Sequence, residues 1–216
     1  MSNQVSTRVE KPSVILLDIE GTMTDISFVS KKLFPFIKAN IETYFDECYA
    51  RPETQELIKR MRESRRTLSE EESACLPQIQ PPSAPRRDII KSLAEYSLAN
   101  MRLKRRVSEI KQLQILVWVW GYERGSIRGH VYDEVTTTMH HWKTGYRIAL
   151  YVFSTGMIAA QQLLLCCTNH GNCLPMITDF FDNSVGDKTD PASYLKIAEK
   201  VRRSVGSMLF ITDNPK

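Results

Sequence analysis

Four apolar residues, Val14 to Leu17, run without a polar break into Asp18. A short unbroken apolar run that ends in a turn predicts a strand covered on both faces. Residues 147–153, which lead into Ser154-Thr155-Gly156, and residues 208–211, which lead into Thr212-Asp213, have the same character. Elsewhere the apolar spacing is helical. Leu33, Phe34, Phe36, Ile37, Ile41, Tyr44 and Phe45 share one periodic stretch, with Pro35 near its start, where a missing N–H is harmless. Residues 54–66 continue helically with more charge. Asp88 is placed to cap a helix bearing Ile89, Ile90, Leu93, Tyr96 and Leu98, and a second helix carries Val107, Ile110, Leu113, Leu116, Val117 and Trp120. Further helices are expected over 133–143, over 157–167, and from Asp190 or Thr189 with Pro191 in the first turn.

The interruptions are equally informative. Residues 67–87 hold Pro77, Pro81, Pro82 and Pro85 beside the acidic Glu70 to Glu72, and predict an exposed connection. Gly121, Gly125 and Gly129 predict a loop, and match neither a dinucleotide fingerprint nor a P-loop. Residues 180–188 predict a loop carrying Lys188. Apolar strands separated by helices make the fold class α/β, a doubly wound, Rossmann-like parallel sheet.

Composition narrows this picture only a little. The 216 residues are 42% hydrophobic and 25% charged, as in an ordinary globular protein with one sizeable core and room for an inserted subdomain. Lysine and arginine exceed the acids by 29 to 25, a surplus too small to argue for nucleic acid. The basic run from Arg102 to Arg106 lacks interleaved aromatics and reads as a solvated helix face or turn. No stretch approaches a membrane span, and residues 1–8 hold no signal-peptide core. Cys48, Cys75, Cys166, Cys167 and Cys173 form no Cys-x-x-Cys pairs and fit a reducing compartment. Cys166, Cys167, His170 and Cys173 resemble zinc ligands superficially, but adjacent residues point in different directions, and ordinary thiols are expected.

The candidate chemistry lies at the strand ends. Asp18 closes the first strand, Glu20 follows two residues later, and Gly21 allows a sharp turn. Two acids on such a loop suit a divalent metal and a nucleophilic carboxylate. Ser154 and Thr155, before a helix N-terminus, form a natural phosphate cradle, though either could be a plain helix cap. With Lys188 and Asp213 these residues supply a nucleophile, hydroxyl donors, a cation and metal-binding acids. Such a set serves phosphoryl transfer from a small phosphate ester.

The order Asp-x-Glu-Gly-Thr, Ser-Thr-Gly, Lys, Thr-Asp resembles the four motifs of the haloacid dehalogenase-like hydrolases. Leu17 to Thr22, Ile26 to Val29, Leu33 to Pro35, Lys111 to Gln114, Trp120 to Tyr122, Gly129 to Val135, Phe181-Asp182, Val185-Gly186, Lys188 and Ser193-Tyr194 resemble one branch, the enolase-phosphatases (acireductone synthases) of methionine salvage. The likeness is weakest over about 50–90, and Glu20 is a discriminator, since most of the superfamily has Asp there. The resemblance implies a haloacid dehalogenase-like core over 1–30 and 119–216, with a helical cap over 31–118 that closes on the substrate. It implies Mg2+ held by Asp18, Glu20 and Asp213. Asp18 would be the nucleophile, Glu20 would also handle a proton, and Lys188 would neutralise phosphate and orient Asp18. Ser154, Thr155 and Lys188 would bind substrate.

The implied reaction converts 2,3-diketo-5-methylthiopentyl 1-phosphate through an enol to the acireductone and phosphate. The implied protein is a monomer of the cytoplasm, with the nucleus as a second compartment, acting without nucleic acid or membrane. Ile115-Leu116 and Pro191 depart from the branch's pattern without touching this chemistry. Relatives carry another acid four residues beyond Asp213, then a further helix and strand. A truncated chain is therefore expected, with an apolar last strand left at the sheet edge, weak magnesium binding and low stability. A phosphatase for another small ester, or an inactive relative acting as a binding protein through its basic cap helix, are the competing readings.

Overall fold

Residues 10–214 are described by the computed structural model. The leader stretch considered above, residues 1–8, lies outside the described residues. The chain divides into two compact units: one holds the described residues up to Phe28 and those from Arg128 onward, the other Val29–Ile127. The expected boundary near 118 moves because the last helix of the second unit runs unbroken to Glu123.

The first unit is built on a parallel sheet of β1 (Val14–Leu17), β2 (Ala149–Phe153), β3 (Asp179–Phe181) and β4 (Met208–Ile211), in the order β3-β2-β1-β4. All four residues of β1 are buried, as an unbroken apolar run requires. Register places Val14 and Leu16 beside Ala149 and Tyr151 on one side and beside Met208 and Phe210 on the other. Those residues share one sheet face. They pack with Phe153, Phe181 and Val185 against Tyr194, Ile197 and Val201. Ile15, Leu17, Leu150 and Val152 face the other way and are buried too. The chain steps outward from β1 to β2 to β3, then crosses back to place β4 on the far side of β1. That reversal sets a switch point at the carboxyl ends of β1 and β4, where open α/β sheets bind ligands.

Three local expectations in this unit are corrected. Strand β2 begins at Ala149 and not at 147, because Arg147 adopts a left-handed φ of 57° after helix α6 (Asp133–His140) and a π-helical turn over His141–Gly145. Residues 179–181 form an edge strand where a loop was expected; β2 supplies the pairing that three residues cannot signal alone. The helix after Ser154 starts at Ile158 behind Met157, so neither Ser154 nor Thr155 caps it.

The second unit is wholly helical: α1 (Phe34–Cys48), α2 (Pro52–Arg66), α3 (Glu70–Ala74), α4 (Arg86–Arg102) and α5 (Ser108–Glu123). Ile37, Ile41 and Phe45 of α1 and Leu93 and Leu113 of α4 and α5 are essentially inaccessible, which gives this unit its own core. The short α3 was expected as loop. Ser69 accepts from the Glu72 N–H while Glu72 accepts from the Ser69 N–H, a capping box that nucleates one turn. Arg65 then holds this connection to α2: its guanidinium donates to the carbonyls of Ser73, Leu76 and Pro77 and to the Ser73 hydroxyl. Helix α4 starts at Arg86, so Asp88 lies in its first turn instead of capping it. Gly121 belongs to α5, closed over by Phe36 and Ile127, and not to a loop.

Candidate active site

The sheet register sets Leu17 level with Val152 and Ile211. The residues that follow these three therefore meet at one end of the sheet. Asp18 comes off β1, Ser154 off β2, and Thr212 with Asp213 off β4. Asp18 is 4% exposed, and its carboxylate is fully engaged. Oδ1 accepts from the Ile19 N–H at 2.8 Å and pairs with Lys188 Nζ at 2.5 Å, while Oδ2 accepts from the Thr212 hydroxyl at 2.8 Å. A buried carboxylate is tolerated here because a cation and two donors replace its lost hydration.

Lys188 is itself positioned. Its carbonyl accepts from the Tyr194 hydroxyl at 2.6 Å, and its ammonium lies over the Phe210 ring at 5.9 Å. Tyr194 sits on α8 (Pro191–Val201), whose N-terminus Asp190 caps through the Ala192 N–H. Burial raises the Tyr194 hydroxyl above its ordinary value and the charge of Asp18 adds to the rise, so the phenol stays a donor.

Glu20 occupies the loop between β1 and the bridge it makes with Thr24. Burial lifts its carboxyl above the ordinary value; Asp18 lifts it further, Lys188 opposes the shift, and Asp213 adds to it. Asp213 is anchored by its N–H, which donates to the Thr22 hydroxyl at 3.1 Å. Gly21 holds a φ of +77°, and a side chain there would run into the Asp213 carboxylate. Asp18 pairs with Lys188, and the charges of Asp18, Lys188 and Asp213 all bear on Glu20. This donor set suits a hard divalent cation. Among the described residues no three His, Cys, Asp or Glu side chains already converge as a metal cage.

Ser154 is buried at the end of β2, and its N–H donates to the Phe181 carbonyl at 3.1 Å. Thr155 is exposed on the same turn. Gln161 of α7 (Ile158–Cys166) ties that turn down, donating to the carbonyls of Gly156 at 2.7 Å and Phe181 at 3.1 Å. Thr212, Tyr194 and Gln161 have no role at the site in the sequence reading. Thr212 enters the sequence reading only as the first residue of the Thr-Asp pair.

The comparisons with known proteins bear on this geometry. The haloacid dehalogenase-like hydrolase family model matches residues 12–216. Enolase-phosphatase E1 of Drosophila ananassae is 36% identical over 203 residues, covering 94% of this chain and 77% of that protein. Enolase-phosphatase E1 of Naegleria gruberi is 34% identical over 209 residues, covering 95% and 80%. The crystal structure of UTR4 protein from Saccharomyces cerevisiae superposes with a TM-score of 0.72 over 94% of this chain and 82% of its own, at 24% identity, a likeness of fold. The four motifs, their convergence at the switch point and these matches place the chain among the haloacid dehalogenase-like hydrolases, in the branch of the enolase-phosphatases.

Proposed function

We propose that this protein converts 2,3-diketo-5-methylthiopentyl 1-phosphate to the acireductone and phosphate, as a magnesium-dependent enolase-phosphatase of methionine salvage. The observation that carries this reading is the Lys188–Asp18 contact of 2.5 Å at the end of β1, with Glu20 lifted above its ordinary value by burial and by the charge of Asp18. Asp18 attacks the phosphorus of the ester, the bond to the substrate oxygen breaks, and an aspartyl-phosphate forms. Lys188 holds Asp18 in line and meets the negative charge of the phosphate. The Ser154 and Thr155 turn supplies hydroxyl and N–H donors to the phosphate oxygens. Glu20, raised toward its protonated form by burial and by Asp18, is suited to give a proton to the leaving oxygen and recover it from water. Magnesium, when bound by Asp18, Glu20 and Asp213, would supply positive charge that screens the nucleophile from the dianion. The reaction needs neither nucleic acid nor membrane, and one chain contains every proposed group. Free thiols at all five cysteines are consistent with a reducing compartment such as the cytoplasm. No helix among the described residues is long and apolar enough to cross a membrane.

The deciding experiment measures phosphate release from this diketo phosphate ester with magnesium, for the native chain and for Asp18→Asn. Release by the native chain and none by the variant supports the reading. Release that survives Asp18→Asn, or that is faster with unrelated small phosphate esters, overturns it.

A further inference from the structure

Away from the switch point, α7 ends in two adjacent cysteines. Cys166 is its last residue and Cys167 leaves the helix with φ −131° and ψ 54°. Both are thiols, Cys166 partly covered and Cys167 exposed. Although adjacent side chains normally diverge, the helix exit turns these two together. The Sγ atoms lie 3.1 Å apart, and the Cys166 thiol also donates to the Leu163 carbonyl at 3.2 Å. Burial and the hydrogen bond and charge of Cys167 push the Cys166 thiol up to about 11, so Cys166 keeps its proton, and the exposed Cys167 is the more accessible of the two.

The peptide that follows the pair is a structural joint. The Cys167 carbonyl accepts from the Gly129 N–H at 2.8 Å, and the Gly129 carbonyl accepts from the Asn169 N–H at 2.9 Å. Gly129 approaches α7 so closely that any side chain there would strike the Leu164 carbonyl. Beyond it, Val131 exchanges hydrogen bonds with the Asn169 amide, and His130 Nδ1 lies 3.0 Å from the Thr24 hydroxyl. Thr24 in turn bridges to Glu20.

We propose that Cys166 and Cys167 are a reversible thiol-modification site, a vicinal pair that reacts with low-molecular-weight disulfides such as oxidised glutathione and closes to a disulfide. The Cys167 thiolate attacks one sulfur of the small disulfide, forming a mixed disulfide and releasing one thiolate. Cys166 then gives up its proton and attacks Cys167 Sγ, releasing the second small thiol. Two protein thiols lose two electrons and two protons, and the small disulfide is reduced to two thiols. Neighbouring Cα atoms stand about 3.8 Å apart, below the roughly 4.4–6.8 Å that a relaxed disulfide spans. The closed bond is therefore strained and easily reduced, and closing it must turn the intervening peptide. Turning it rotates the backbone of Cys167, and the Cys167 carbonyl, which belongs to the next peptide, withdraws from Gly129.

The test treats the reduced, full-length protein with oxidised glutathione at mildly alkaline pH. Intact mass and peptide mapping locate the product, and hydrogen exchange follows the Gly129 amide. The expected product has lost two hydrogens, retains no glutathione, keeps three of its five thiols, and reverts with dithiothreitol. Exchange at Gly129 is expected to speed up by about ten-fold or more. Cys166→Ser is expected to retain glutathione on Cys167, because the second attack is lost. Glutathione retained by the native chain, a bond from Cys167 to any cysteine other than Cys166, no reaction, or an unchanged Gly129 amide would each overturn the proposal. None of these readouts depends on the proposed phosphatase reaction.

Discussion

The Thr212 hydroxyl donates to Asp18 Oδ2 at 2.8 Å, joining the ends of two neighbouring parallel strands across 194 positions of sequence. The bond gives the carboxylate's second oxygen a fixed partner while Lys188 holds the first. Thr212→Val removes the donor at constant shape and leaves a buried oxygen short of one hydrogen bond. Phosphate release is expected to fall by about five- to twenty-fold, the equivalent of roughly 1–2 kcal/mol. Thr212→Ser, which restores the hydroxyl, should recover most of the rate. Equal rates for the valine and serine variants would show that the bond does not matter.

Gly21 separates the two acids of the first loop from Asp213. Gly21→Ala must accommodate both a φ of +77° and a methyl group where the Asp213 carboxylate lies. The backbone cost is about 1–2 kcal/mol, small enough for the protein to stay folded. Asp213 has to move. Calorimetric titration with magnesium should show affinity weakened by at least about ten-fold while the circular dichroism spectrum is unchanged.

Arg65 is a buried cation whose partners are carbonyls and a hydroxyl. Arg65→Met keeps the packed stem but removes the donor to the carbonyls of Ser73, Leu76 and Pro77, of which only that of Ser73 keeps a backbone partner among the described residues. A loss of about 2–4 kcal/mol is expected by denaturant titration. Limited proteolysis should then cut first within the connection from Ser73 to Pro77. An unchanged cleavage pattern would mean that the capping box of Ser69 and Glu72 suffices without the arginine.

Asp182 follows β3. Burial raises its carboxyl, but hydrogen bonds from the Ser184 side chain and N–H and from the Ile158 and Asp182 N–H groups outweigh that and lower it below the ordinary 3.8. A carboxyl depressed in the folded state contributes stability at any pH above its unfolded value, and that contribution is lost as pH falls through the folded value. Acid titration of the native chain should therefore lose stability through this group below about 3.8. Asp182→Asn should lack that component of the slope and should already show a lower urea midpoint than the native chain at neutral pH, where the contribution of Asp182 is fully present.

The buried framework was largely legible because its signals are local and redundant. Val14 to Leu17 carry no polar residue, and such a run has only one comfortable place, inside a sheet covered on both sides. Helix faces such as Ile37, Ile41 and Phe45 repeat often enough to override chance. What escaped was decided by neighbours. Phe180 and Phe181 become a strand because β2 offers them a ladder. Gly121 stays helical because the Trp118 and Trp120 indoles anchor α5 by donating to Leu33 and Glu47, outweighing one glycine's preference. At the site the proposed acids, lysine and Ser154 stand at strand ends or the following loops, as the spacing of the motifs suggested. The hydroxyls of Thr212 and Tyr194 carry no spacing signature. Their partners, Asp18 and the Lys188 backbone, become visible only when the sheet and α8 bring them together.

Among the described residues β4 pairs only with β1, and each of its four apolar residues is partly exposed. Its last link to the rest of the unit is made by Thr212 and Asp213, which reach back to Asp18 and Thr22. A ligand that binds Asp18 and Asp213 together would act as a clasp on this strand, because releasing the edge would require releasing the ligand. Occupancy and edge cohesion then become a single linked quantity. Saturating magnesium and phosphate analogues should slow amide exchange along β4 and raise the melting temperature together, with the gain set by the logarithm of ligand concentration over its dissociation constant.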